Sequence, residues 1–202
     1  MTQANEAVTG RELQRLATRE RVYQAAVDEF ERSGVADADI STIVSAAGVS
    51  RGTFYFHFPT KEHALAELTR RAEAKIASEL AEALSSVGDL ATALAEVIRL
   101  VVAEEERLGH ILFRDVLGLY FSASQPELSD YATHPLVHIV IEQIELARDR
   151  GEVYGEVEAE YSAVFFLIGL YGLLITNRDH AVSGMSVLEK YLSSFCRGLW
   201  VR

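Results

Sequence analysis

The sequence predicts an all-α protein in two parts. Residues 1–60 read as an N-terminal arm and a three-helix helix-turn-helix domain, and residues 61–202 as a helical bundle that dimerises. Three observations support this. Residues 39–61 give a helix, a glycine turn and a second helix in quick succession, the order of a helix-turn-helix unit. Downstream, apolar residues recur three and four apart, the period of amphipathic helices. Finally, residues 163–175 contain no charge at all, and a helix apolar on every side must be covered on every side.

Composition narrows the class. With 49% hydrophobic and 24% charged residues, the chain matches globular rather than disordered proteins. One cysteine, Cys196, excludes an intrachain disulfide framework and fits a reducing compartment. The opening MTQANEAVTGRE has no apolar core of a signal peptide, so the expected location is the cytoplasm. The net charge of −11 is unevenly distributed: residues 1–71 hold nine Lys/Arg against ten Asp/Glu, and the rest ten against twenty. The acidity belongs to the second part, and no basic tail is present. No glycine-rich phosphate loop, HExxH, set of zinc-ligand cysteines or nucleophile motif occurs, so neither an enzyme, a cofactor nor a metal is expected.

In chain order, residues 1 to about 10 are small and polar and read as disordered in isolation. Arg11, Arg15, Arg19 and Arg21 then recur along the first helix. They form either a solvated face or an arm touching phosphates or the minor groove. Val22, Ala26 and Phe30 make its inward stripe, and Ser33-Gly34 ends it. Asp39 is placed to cap the next helix, whose inward residues include Ile43 and Ala47. Gly48 can take the positive φ that stops it. Ser50 caps a short helix from Arg51 to about His57, in which Phe54 and Phe58, four apart, share the inward face.

The second helix of such a unit enters the DNA major groove, and its composition agrees. Gly52 costs up to about 1 kcal/mol relative to alanine in a helix, which is sensible where the backbone must approach a DNA strand. Arg51, Thr53, Tyr55 and Phe56 surround it. Pro59 ends the segment, Thr60 caps the following helix and Lys61 begins it. A hydroxyl, a phenol and an ammonium near one helix end suit phosphate oxygens. Arginine on guanine is the commonest specific base pairing, which makes Arg51 the candidate base reader. Ser41 lies where it could meet the DNA backbone, and Ser50, Gly52 and Phe56 complete the expected DNA-facing set.

The run Ala47-Gly48-Val49-Ser50-Arg51-Gly52-Thr53-Phe54-Tyr55-Phe56-His57-Phe58-Pro59-Thr60-Lys61-Glu62 resembles the DNA-binding motif of TetR-type transcriptional regulators. Thr18-Arg19-Glu20-Arg21, Ala25-Ala26 and Phe30 resemble that family's first helix, so the likeness spans about residues 18–68. It implies a homodimer that binds a palindromic double-stranded operator, most often as a repressor, and releases it when a small effector occupies the C-terminal bundle. It also implies that Thr53, Tyr55 and Lys61 match phosphate- and DNA-contacting positions. An operator-binding regulator without ligand control remains the nearest alternative, and a helical-bundle enzyme a remote one.

Leu65 and Leu68 open a long helix reaching about Ser85. Leu90, Leu94, Val97, Ile98 and Val101 form the next amphipathic stretch, whose Glu104-Glu105-Glu106 reads as a solvated helix end. Gly109 breaks the pattern, and a further helix from Ile111 to Phe121 follows. After a loop, another helix restarts at Pro135 and stops at Arg150-Gly151. His134 and His138 have the spacing of a metal pair, but Pro135 marks a helix start between them and the pair reads as incidental. The charge-free run from Ala163 to Ile175 is too short to span a membrane. One of its faces is expected to meet a second subunit, with Gly169 and Gly172 permitting close helix approach. Leu188, Tyr191, Phe195 and Leu199 of the last helix join that interface, since the final two helices loosely resemble the family's dimer bundle. The bundle carries more large apolar side chains than a spacer needs. Phe113, Leu117, Tyr120, Phe121, Phe165 and Phe166 are candidates to line a pocket for an apolar or aromatic effector, with His110, Arg114, His138 and Asn177 as polar anchors.

Overall fold

The structure, a computed structural model, describes residues 10–84, 88–120, 134–176 and 185–200. Its elements are α1 (Gly10–Asp37), α2 (Ile40–Ala47), α3 (Arg51–His57), α4 (Lys61–Leu84), α5 (Leu90–Tyr120), α6 (Pro135–Asp149), α7 (Ala159–Thr176) and α8 (Met185–Leu199). Among the described residues there is no strand. A lone antiparallel bridge joins Val153 to Trp200, beside a bond from the Tyr154 amide to the Leu199 carbonyl.

The chain divides into two compact units at Leu68–Thr69. This is later than the boundary drawn at the start of α4, and the first turns of α4 supply the reason. Ala64, Leu65 and Leu68 are buried, and Arg19 on α1 donates to both carboxylate oxygens of Glu67 at 3.3 and 3.1 Å. Three short helices alone bury too little surface. The early residues of α4 add to that core, while the helix itself continues into the second unit.

In the first unit Val22, Ala26, Phe30, Ile43, Phe54 and Phe58 are all at most 1% exposed, so the inward stripe of α1 meets α2 and α3 as its spacing requires. Gly34, at φ 74°, kinks α1 where the sequence places its end. Gly48, at φ 64° and ψ 41°, closes α2 in the left-handed region, a conformation that favours glycine. A buried carboxylate ties the turn between α1 and α2. Glu29 accepts from the Asp39 amide at 3.2 Å and from the Ser33 hydroxyl at 3.3 Å, and it pairs with Arg32.

The Arg32 guanidinium, and after it the Asp39 amide and the Ser33 hydroxyl, hold the Glu29 carboxyl below the ordinary carboxylate range against the opposing effect of burial. A carboxyl lowered on folding stabilises above its unfolded pKa and loses that contribution as pH falls through its folded value. The urea midpoint of the N-terminal unit should therefore drop between neutral and acidic pH, and Glu29→Gln should flatten that drop. At neutral pH Glu29→Gln should cost about 1.5–3 kcal/mol, the range for hydrogen bonds to charged groups. Parallel pH profiles of wild type and variant would remove Glu29 from this role.

In the second unit, Gly109 (φ 74°, ψ 153°) breaks α5 into two helical stretches. The acidic run just before it differs from the solvated end expected. Glu104 and Glu105 are each 5% exposed, because they share the inward face with Val101 and Leu108. Glu104 accepts from Arg107 at 2.6 Å and lies 3.7 Å from Lys75 Nζ, while Glu105 lies 3.5 Å from His110 Nδ1. Burial of Glu104 is met by the cations of Arg107 and Lys75, as buried charge requires.

The helix α7 has eighteen residues, longer than the charge-free run, and by length and mean hydropathy it reaches the lower limit of a membrane-crossing helix. Its apolar character is partly accounted for within the unit, since Ala163, Phe166, Leu167, Leu170 and Leu174 are buried. Tyr161, Phe165 and Ile168 are not; they are 60%, 65% and 39% exposed.

Candidate nucleic-acid interface

The recognition surface is set by α3, and its cap fixes where that helix starts. Ser50 Oγ accepts from the Thr53 amide at 3.2 Å and bonds Thr53 Oγ1 at 2.9 Å. Asp39 caps α2 in the same manner through the Ser41 amide at 2.8 Å. With Phe54 and Phe58 fully buried on the inner face, the remaining side chains of α3 have only one way to point. Arg51, Gly52, Tyr55 and Phe56 are exposed, and Thr53 is half-buried. Tyr55 is 49% and Phe56 71% exposed. The Tyr55 ring stands edge-on to Phe54 at 5.4 Å, and Phe56 stands edge-on to His57 at 5.1 Å.

Several expected DNA residues already have partners in the protein. Arg51 donates from Nη2 to Ser41 Oγ, so Ser41 holds the guanidinium beside α2 rather than leaving it free. Lys61 Nζ donates to the carbonyls of Ala36 and Ala38 at 2.9 and 3.1 Å. It thereby fastens the last turn of α1 and the residue just after that helix to the start of α4. Ser50 and Thr53 are engaged in the cap just described. Of the arginines on α1, Arg15 pairs with Glu12 and Arg19 lies 4.7 Å above the Phe58 ring while bonding Glu67. The arm reading therefore loses Arg19 to an internal role that sequence spacing could not reveal. Burial, followed by the charges of Arg15 and Arg19, holds the His57 imidazole below its ordinary range.

The effector and dimer candidates scatter more widely. Phe113, Leu117 and Phe166 are buried, His110 is half-buried and Arg114 exposed. Phe165 is exposed on α7, stacked on Tyr161 at 6.4 Å, and lies in neither described cavity. Phe121 and Asn177 fall outside the described residues, as does the side chain of Tyr120. His138 lines a cavity of about 480 Å³ with Val137, Ile141, Glu145, Glu158 and Glu160. A second cavity of about 280 Å³ lies between α5 and α8, lined by Ala95, Ile98, Val102, Leu188 and Leu192 with Arg99 and Glu106. Leu188, expected at the dimer interface, is 5% exposed and faces this groove.

Gly169 serves the protomer itself. A Cβ there would meet the Tyr191 ring at 2.9 Å and its hydroxyl at 2.5 Å, and that hydroxyl donates to the Phe166 carbonyl. Phe195 packs on Phe166 at 5.1 Å, and Leu199 is half-buried. Gly172 is exposed, with open space around it.

A buried polar group emerges that the sequence did not announce. His134, the residue before α6, lies 4% exposed with its Nδ1 at 3.0 Å from Glu73 on α4, itself 7% exposed. His134 therefore pairs with Glu73. Among the described residues no cluster of three or more His, Cys, Asp or Glu is placed to hold a metal. Burial and, after it, the Glu73 charge push the Tyr171 phenol well above its ordinary range. The signal that could have found this group is a histidine and a glutamate on apolar helix faces, but their separation by 61 positions hides the pairing.

A capped α2, a left-handed glycine turn and an α3 with a clean outward face, joined to an all-helical second unit, define a helix-turn-helix protein. Residues 22–68 match the family described as bacterial regulatory proteins, tetR family. It is 33% identical over 95 residues to the HTH-type transcriptional regulator AcrR of Shigella flexneri, covering 45% of this chain and 44% of that one. The chain thus spans less than half the length of that relative. Its fold also matches that of the fatty acid degradation regulator FadR from Bacillus halodurans, with a TM-score of 0.70 and 16% identity over 91% of this chain and 99% of that one. Thermus thermophilus FadR, a TetR-family transcriptional repressor solved in complex with lauroyl-CoA, matches with a TM-score of 0.68 and 22% identity over 91% and 96%. Likeness at those identities establishes the fold.

Proposed function

We propose that the protein is a cytoplasmic homodimeric repressor that acts by binding rather than catalysis. In this reading α3 reads a palindromic operator, and a small apolar or aromatic effector in the second unit releases it. The observation that carries the reading is the outward face of α3, where Arg51, Tyr55 and Phe56 are exposed on a helix whose inner face is locked by Phe54 and Phe58. Arg51 reads a base; Tyr55 and Thr53 meet phosphates. Lys61 uses two of its three ammonium donors on Ala36 and Ala38, which leaves one for a phosphate oxygen. A gel shift on the DNA flanking its own coding sequence tests the reading: a specific, salt-sensitive complex is expected. An enzyme or scaffold would give none.

Arg51→Ala should relax preference at one operator position and cost about 1–3 kcal/mol. Lys61→Ala should weaken all sequences alike and lower the salt slope by about one. Unchanged salt dependence would confine Lys61 to its carbonyl contacts.

Self-association is supported by the line Tyr161, Phe165, Ile168 and Gly172, which recurs at helical spacing on the exposed side of α7. Gly172, without a side chain, would let a second copy approach closely. Because Phe165 is 65% exposed, Phe165→Glu should leave the protomer folded while shifting a dimer toward monomer in sedimentation. A variant as dimeric as wild type would move the interface elsewhere. For the effector, the α5–α8 groove is mostly apolar, with one arginine (Arg99) and two glutamates (Glu106 and Glu189), the character of small-molecule sites. The Thermus thermophilus protein of the same fold was solved in complex with lauroyl-CoA, which makes acyl chains a reasonable first series in a thermal-shift screen. The continuity of α4 from the first unit into the second offers a covalent path for coupling.

A further inference from the structure

Two residues on the outward face of α3 are not explained by the packing of their own domain. Gly52 has no internal reason to be glycine. A Cβ there would meet only Ser50 Oγ, at an ordinary 3.7 Å, and Gly52 is not among the residues with positive φ. Phe56 is the most exposed large apolar residue described in the chain, at 71%, and its ring stands edge-on to the neighbouring His57 at 5.1 Å. The two lie four apart, so they share one helix face, and that face is turned away from the buried Phe54. The exposed face of α3 therefore carries a bare backbone followed by a phenyl ring. Arg51 and Tyr55, also four apart, flank it with polar groups.

We propose that Phe56 is a specificity-determining residue that reads the C5-methyl group of a thymine in the operator, with Gly52 supplying the clearance that brings the ring to the base edge. The proposal rests on operator binding by α3. Its chemistry follows from what the major groove displays. Guanine, adenine and cytosine present donors and acceptors at their edges, and thymine adds the one methyl group. A phenyl ring has nothing to give a donor or acceptor, and covering one without a partner is costly. Nor can it bond a phosphate, unlike the hydroxyl of Tyr55. Burying a methyl group against the ring is the favourable contact left to it. At Gly52 any side chain would stand one turn ahead of the ring on the same face and hold the helix away from the bases.

The test uses the wild-type protein and the tightest duplex it selects from a random-sequence pool. Each thymine in a half-site is replaced in turn by deoxyuridine, which removes the methyl and keeps the base pair. Wild type should lose about fourfold in affinity at one or more positions, the worth of one buried methyl-sized group. Phe56→Ala should bind thymine and uracil duplexes equally there, while its melting temperature stays near wild type because the ring is exposed. Gly52→Ala should weaken operator binding without lowering the melting temperature, since its Cβ has room in the free protein. Wild-type indifference to every methyl, or full methyl discrimination by Phe56→Ala, overturns the assignment with the operator reading intact. Unchanged operator affinity in Gly52→Ala overturns the clearance role. Failure of wild type to select any duplex overturns the operator reading and this proposal together.

Discussion

Phe54→Ala is expected to unfold the N-terminal unit, and Phe56→Ala to leave it standing. The two positions are separated by one residue and differ in everything that matters. Phe54 is fully buried, with Tyr55 at 5.4 Å and Phe58 at 6.2 Å around its ring. Truncating a buried phenylalanine removes its transfer free energy and leaves a cavity, at about 3–5 kcal/mol. Domains have only about 5–15 kcal/mol of total stability, and a unit of this size sits toward the bottom of that range. DNA binding by Phe54→Ala should therefore vanish through unfolding, visible as loss of helical signal at a temperature where wild type is intact. Exposed substitutions usually stay within about 0.5 kcal/mol, so any loss of binding in Phe56→Ala belongs to the interface. A Phe54→Ala protein with a wild-type urea midpoint would mean that the core is centred elsewhere.

The second large effect is reciprocal weakening of effector and operator. Coupling requires the ligand to prefer one conformation of the protein over the one that binds DNA. Typical coupling energies of about 1–3 kcal/mol correspond to roughly 5–150-fold in affinity. A compound that raises the melting temperature should thus lower operator affinity by a factor in that range. Linkage demands that saturating operator lower affinity for the compound by the same factor. Calorimetric titrations with and without operator measure both sides. Equal affinity in the two titrations would make the compound a bound ligand and no inducer. Substitutions at the α5–α8 groove, such as Ile98→Trp, should abolish the calorimetric signal if the compound sits there. The cavity lined by His138 would be the place to look if they do not.

Most of the first unit was legible because its determinants are local. Asp39 and Ser50 cap the helices that follow them, Gly48 takes the left-handed turn, and the inward spacing of Ile43, Phe54 and Phe58 leaves α3 only one face to present. Caps, glycine turns and periodicity act over a few residues, so sequence order is enough to read them. The break at Gly109 and the restart at Pro135 were legible for the same reason.

What only the tertiary structure decided is which long side chains find partners far along the chain. Lys61 carries the composition of a phosphate ligand, yet it reaches back 25 positions to the Ala36 carbonyl. Arg19 reads as a surface charge, yet it joins Phe58 and Glu67. Glu104 and Glu105 look like a solvated run until the helix turns them inward toward Arg107, Lys75 and His110. Gly169 suits contact between subunits by composition, but it is filled by Tyr191 of its own chain. Hydrophobic period tells which way a helix faces, and it is blind to what stands opposite. Charges and glycines gain their roles from that opposing surface, which the sequence by itself does not contain.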